Sequence, residues 1–141
     1  FGQIAPMLAV NDVTGIRLMG TNLWNSPDFV NRSQNFGESS LFVDAFVADS
    51  PQFLNSPFYK EFRQEFQERP GTFAVQGFDA GRLVLQAINN KPKNRIDFLR
   101  LLTNKDPVAG ATSPLMMGED REIVKTLIPL TIKKGSIVPI E

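Results

Sequence analysis

The 141-residue chain has room for one ordinary domain, and its 42% apolar content suits a packed core rather than a disordered tail. Fifteen basic residues balance fifteen acidic ones, so no bulk field draws it to nucleic acid or to an acidic membrane. Cysteine and histidine are both absent, which excludes thiol chemistry, disulfides, cysteine metal sites and histidine-dependent triads.

Phe1 to Val13 reads as the end of a helix with a rough stripe of Ile4, Met7 and Leu8, ended near Gly15, and Pro6 makes it either a kinked helix or a helix start preceded by loop. Ile16 to Met19 reads as a strand, followed by the loop Gly20 to Trp24. Ser26-Pro27 then gives cap and first-turn residue in the favoured order, with a helix to about Gln34. Leu41 to Val47 is a nearly continuous apolar run, the pattern of a parallel strand buried on both faces. Asn55-Ser56-Pro57 caps a helix whose Phe58, Phe62 and Phe66 share one face, and Arg69-Pro70-Gly71 stops it.

Phe73 to Asn89 is a longer helix with a stripe of Ala74, Phe78, Gly81, Leu85 and Ile88. Gly77 and Gly81 each cost about 1 kcal/mol of helix propensity, so their spacing predicts close approach of a neighbouring element. Asn94 caps a short helix bearing Ile96, Phe98, Leu99 and Leu102. After Asn104 the chain is loop-rich, and Glu122 to Ile132 and Ser136 to Ile140 read as two strands joined through Lys133-Lys134-Gly135. Twelve Phe against one Tyr and one Trp predict deep packing. Two buried strands before residue 115 cannot build an open parallel sheet alone, so the chain reads as a fragment of a larger α/β fold. Phe1 in place of an initiator Met fits a processed or excised piece.

Chemistry-bearing residues are few. The loop after the first strand places Thr21, Asn22 and Trp24 where an α/β cleft lies, beyond a strand's carboxyl end. A capping loop with Trp24 packed on the following helix is the alternative. Phe73 reaches toward the same cleft or is buried in the core. Asp44 and Asp49 flank Phe46 and could serve as acid and base or hold a cation, although solvated turn carboxylates explain them more simply. Asp79 and Arg82 are spaced for an i,i+3 surface or interlobe ion pair. Met116-Met117 reads as core. No phosphate loop, nucleophile elbow or metal-spaced cluster is present, which argues against an enzyme and implies no cofactor and no metal.

Gly15-x-Arg17-Leu18-Met19-Gly20-Thr21, Trp24-x-x-Pro27 and Leu41-Phe42-Val43-Asp44-Ala45-Phe46 resemble the second half of type I periplasmic binding proteins. So do Phe58-x-x-x-Phe62-x-x-x-Phe66-x-x-x-Pro70 and Ala74-x-Gln76-Gly77-Phe78-Asp79-Ala80-x-Arg82-Leu83. The resemblance runs over nearly the whole chain and comes closest to extracellular ligand-binding receptors and penicillin-binding-protein activators. It implies part of a two-lobed fold, a three-layer sandwich with a mainly parallel sheet. Residues 1–43 would lie in the C-terminal lobe, 44–112 in the N-terminal lobe, and 113–141 in the C-terminal lobe again. Asp44 to Ala48 would be one hinge strand and Pro114 to Asp120 would lie near another.

The resemblance further implies a non-enzymatic extracytoplasmic receptor, periplasmic or tethered as a lipoprotein, that closes on a small polar, amino-acid or peptide-like ligand. Its binding residues would be Thr21, Asn22, Trp24 and Phe73. Its partners would be an ABC permease or a cell-wall synthase, and the missing N-terminal part of the same fold. Asn22 stands where amino-acid receptors carry the acid that answers the ligand ammonium, and Phe78 replaces the usual Tyr. These departures favour an alternative, a ligand-free interaction module regulating cell-wall synthesis.

Overall fold

Three Ser-Pro pairs and one asparagine set most of the helix starts. The Oγ atoms of Ser26, Ser50 and Ser56 accept the backbone N–H groups of Phe29, Phe53 and Tyr59, each at 3.2 Å. Each cap satisfies an orphan donor while the following proline presets the first turn. Asn94 does the same for Asp97 at 2.9 Å. In the computed structural model residues 4–103 and 106–140 are described, so the expectations for Phe1 to Gln3 and for Asn104 lie outside the described residues. The helices are α1 (Ile4–Val10), α2 (Pro27–Ser33), α3 (Pro51–Leu54), α4 (Pro57–Phe66), α5 (Thr72–Asn89) and α6 (Arg95–Leu102). The strands are β1 (Leu41–Asp44), β2 (Val108–Ala109), β3 (Pro114–Met117), β4 (Ile123–Val124), β5 (Ile128–Lys133) and β6 (Ser136–Pro139).

The chain forms two units, Phe1–Asn55 with Leu127–Glu141, and Ser56–Thr126. In the first unit a sheet of order β1-β5-β6 is antiparallel throughout, with Phe42 opposite Leu130 and Leu130 opposite Pro139. The β5–β6 hairpin turns on Lys134 (φ 53°) and Gly135 (φ 70°), both left-handed as the favoured two-residue turn requires. The carboxylate of Glu38 accepts both turn amides, Lys134 at 3.0 Å and Gly135 at 2.7 Å, and so ties the hairpin tip down. Trp24, Phe29, Phe42, Leu130, Ile132 and Ile137 form the core.

The mainly parallel sheet expected from the sequence is not what these residues build. The chain leaves the first unit after β1 and re-enters it along β5, and the two strands lie side by side in opposite directions. Among the described residues parallel pairing is confined to the bridge between Met19 and Leu41. The strand expected over Ile16–Met19 shrinks to that bridge, held by Leu41 N–H to Leu18 O and Gly20 N–H to Leu41 O, each 2.8 Å. Ile16 and Met19 are exposed.

The second unit sets α4, α5 and α6 with a small antiparallel sheet of order β2-β3-β4. Leu83, Val108 and Leu115 form its core, with Leu102 and Met117 against them. Phe58 is buried between Phe62 and Phe78, at ring distances of 5.8 and 4.8 Å, whereas Phe66 lies exposed at the end of the stripe. The single strand expected over Glu122–Ile132 divides instead into β4 and β5, which belong to different sheets. The loop-rich reading after Asn104 missed β2 and β3, because two- and four-residue strands leave too little alternation to read.

Helix α5 corrects the expected stripe. Its buried face is Thr72, Val75, Asp79, Leu83 and Ala87, while Gly81, Leu85 and Ile88 face outward. A Cβ added at Gly77 or Gly81 would meet nothing within 4 Å, so among the described residues no neighbour makes the close approach that their spacing predicted. Phe73, Gly77, Ala80, Val84 and Ile88 form a second, uncovered apolar face.

Candidate functional site

The spacing Gly20-Thr21-x-x-Trp24 has a packing explanation. Thr21 caps a short 3-10 turn, Asn22–Trp24, its Oγ1 accepting the Leu23 N–H at 3.4 Å. The turn folds the indole back beneath Gly20, where a Cβ would stand 2.2 to 2.5 Å from the ring. Trp24 is only 7% exposed, stacked on Phe29 at 4.5 Å and tilted against Phe42 at 6.2 Å. The loop's backbone is pinned by Gly20 N–H to Leu41 O, the edge of the bridge that ends at this point.

Outside that floor lies a concavity of about 510 Å³, lined by Met19, Thr21, Leu23, Trp24, Asp28 and Arg32 among others. Met19 and Leu23 present exposed apolar side chains. Arg32 and Asp28 form an exposed ion pair at 3.4 Å one turn apart on α2. Of the four expected site residues, Thr21 and Trp24 line this concavity. Asn22 is half-buried and does not. Phe73 belongs to the other unit, on the first turn of α5, and is 75% exposed in this chain. Sequence reasoning missed Met19, Leu23, Asp28 and Arg32. The i,i+4 spacing of Asp28 and Arg32 on α2 was a signal that could have found the last two.

Asp44 is not a free acid or base. It is buried, and its carboxylate accepts Asn25 Nδ2 at 2.8 Å and the Ala45 N–H at 2.6 Å. Asp49 is exposed, and among the described residues no group of three or more carboxylates could hold a metal ion. Asn25 is 3% exposed, and both ends of its amide are used: Nδ2 also donates to Phe46 O at 2.9 Å, and Oδ1 accepts the Ala48 N–H at 3.3 Å.

In the second unit Asp79 overturns the expected pair with Arg82. It is 2% exposed, its Oδ2 takes Lys125 Nζ at 2.6 Å, and its Oδ1 takes the Ala111 N–H at 2.7 Å. Lys125 also reaches Thr112 Oγ1 at 3.1 Å, and Arg82 turns away to Ala109 O at 3.3 Å. The aspartate lies on the buried face of α5 because a lysine and a backbone amide meet it there. Elsewhere, the Lys93 N–H and then the Arg100 guanidinium hold the Asp97 carboxyl below its ordinary value of 3.8. Among the described residues no helix is long and apolar enough to cross a membrane.

Solved structures similar to this chain match nearly all of it. A protein assigned as a branched-chain amino acid ABC transporter from Rhodospirillum rubrum is 24% identical with a TM-score of 0.78, over 97% of this chain and 41% of that one. The branched-chain amino acid substrate-binding protein LivJ of Streptococcus pneumoniae, solved with isoleucine, is 22% identical with a TM-score of 0.72, over 96% and 39%. A solute-binding protein of an ABC transporter from R. palustris, solved with benzoate, is 21% identical with a TM-score of 0.74, over 99% and 39%. No protein-family model and no curated protein matches the chain. The chain thus spans about two fifths of the length of these structures and has the fold of that portion of a two-lobed type I periplasmic binding protein.

Proposed function

We propose that this chain is part of an extracytoplasmic solute-binding receptor, with no catalytic role, and that the loop Gly20 to Trp24 forms one wall of its ligand cleft. The observation that carries the reading is the concavity of about 510 Å³ on that loop, in a chain whose fold matches that of ABC-transporter solute-binding proteins. In this reading Thr21 offers a hydroxyl, Met19 and Leu23 an apolar edge, and Trp24 the rigid floor. Asn22 and Phe73 are carried as further ligand contacts on the resemblance alone. The ligand is small and polar, of amino-acid or peptide-like kind, and is passed to an ABC permease; tethering as a lipoprotein belongs to the same reading.

In this reading the lobe bounds are those the resemblance implies, 1–43 and 113–141 in one lobe and 44–112 in the other, beside compact units that divide at Asn55 and Leu127. The uncovered α5 face of Phe73, Gly77, Ala80, Val84 and Ile88 supports the layered fold, since a helix with two apolar faces suits the middle position between layers. A thermal-shift screen of the complete protein with amino acids, short peptides and benzoate tests the function. A raised melting temperature with one of them supports the receptor, and a flat response to all of them contradicts it. One observation favours the second reading, an interaction module regulating cell-wall synthesis: Trp24 and Thr21 are already used in packing and capping. Capture of a cell-wall synthase by a protein with a flat ligand screen would support that module.

A further inference from the structure

The β1–β5 ladder ends at the pair Asp44–Ile128, and the chain then runs through 45–48 without strand structure before α3 begins. Asn25, the residue directly after the 3-10 turn of the concavity wall, takes over where the ladder stops. Its amide bonds to Asp44, Phe46 and Ala48, alternate residues of one segment, at 2.8, 2.9 and 3.3 Å. Beyond that segment the ring of Phe46 packs on Phe53 of α3 at 4.5 Å, and α3 ends at the boundary where the chain leaves this unit.

We propose that Asn25 is a positioning residue that couples the concavity wall, residues 20–24, to the outgoing segment 44–48, so that the two open and close as one. This rests on the receptor reading only for what the wall is used for; the coupling itself needs no ligand. A short amide suits the task. It spans the gap with both N–H donors and its carbonyl oxygen engaged, and is shielded from water that would compete for its bonds. Asp44 is the charged group its side chain meets.

The test is amide hydrogen exchange on the complete protein without ligand, comparing wild type, Asn25→Asp and Asp44→Asn. Asn25→Asp sets a second carboxylate against Asp44. At about pH 7.5 the two repel, and at about pH 5 a shared proton relieves them. We expect protection in peptides 20–26 and 44–48 to fall together, by about tenfold or more, at the higher pH and to recover in part at the lower, where one shared proton restores the link to Asp44 but not the bond to Phe46 O, while the β5–β6 hairpin keeps its protection. Asp44→Asn should give a smaller joint loss with no such pH profile, which keeps the idea testable if the first variant does not fold. Independent changes in the two segments overturn the proposal. So does an equal loss in the hairpin, which would mark a merely structural residue. A failed ligand screen would sink the receptor reading and leave this coupling standing.

Discussion

Replacing Gly20 by alanine puts the packing of the loop to a direct test. The added methyl carbon falls 2.2 to 2.5 Å from Cδ2, Cε2 and Cε3 of Trp24. Carbon atoms rest comfortably at about 3.5–4.0 Å, so the ring must recede by more than about 1 Å. It has nowhere to go: Phe29 is stacked on it at 4.5 Å and Phe42 lies at 6.2 Å. The backbone cannot yield instead without losing the 2.8 Å bond from Gly20 to Leu41 O. Overpacking of this kind costs about 1–3 kcal/mol, and the upper half of that range is expected where neither side can move. Trp24→Phe makes room for the methyl, so the double variant should be less destabilised than the sum of the two singles by about 1 kcal/mol or more. Urea denaturation followed by far-UV circular dichroism on the complete protein measures all three. A Gly20→Ala protein within about 0.5 kcal/mol of wild type, or strict additivity in the cycle, would refute the account of the Gly-Thr-x-x-Trp spacing.

Three further outcomes follow from other parts of the chain. Lys125→Met leaves the buried Asp79 with only the Ala111 amide, and should destabilise by about 3–5 kcal/mol in the same urea assay; a loss under about 1 kcal/mol would show that the pair is not closed in solution. Gly135→Ala places a Cβ on a residue with φ 70° and should lower stability by about 1 kcal/mol, with no change expected if the turn re-forms in another type. Asp97 is held below 3.8 by the Lys93 amide and Arg100, so its folded carboxylate adds stability above that value and loses it as pH falls through the lower folded pKa. A carbon-13 NMR titration should place the Asp97 midpoint under 3.8, and a midpoint at or above it contradicts the assignment.

Local signals in the sequence were read well where they are short and chemical. Ser26-Pro27, Ser56-Pro57 and Asn94 mark real caps, and Lys134-Gly135 marks a real hairpin turn. What failed were inferences about what lies across from a residue. The stripe on α5 was read from apolar spacing, yet the helix buries Asp79 because Lys125, 46 positions later, reaches it. Ala74-to-Ile88 periodicity cannot reveal that partner. Likewise Gly77 and Gly81 have open space before them, and Phe66 and Phe73 stay exposed, because residue type says nothing about whether a neighbour is present. The direction of the sheet was equally hidden: an apolar run such as Leu41 to Val47 fits a parallel or an antiparallel neighbour, and only the return of the chain along β5 decides. At the candidate site a concavity does lie against the loop, but Trp24 was legible as a ligand contact or as packing, and it lies at the floor with most of its ring in the core.

Isothermal titration of the complete protein with whichever amino acid, short peptide or benzoate raises its melting temperature, repeated on Leu23→Arg, bears most directly on whether this loop walls a ligand cleft. Leu23 is exposed at the rim, so the substitution can fill the mouth of the concavity without touching the Trp24 packing. If the loop walls the cleft, the variant should lose about tenfold or more of that binding, roughly 1.4 kcal/mol, at an unchanged melting temperature. Binding that Leu23→Arg leaves intact, or heat evolved by none of the compounds screened, would contradict the proposal.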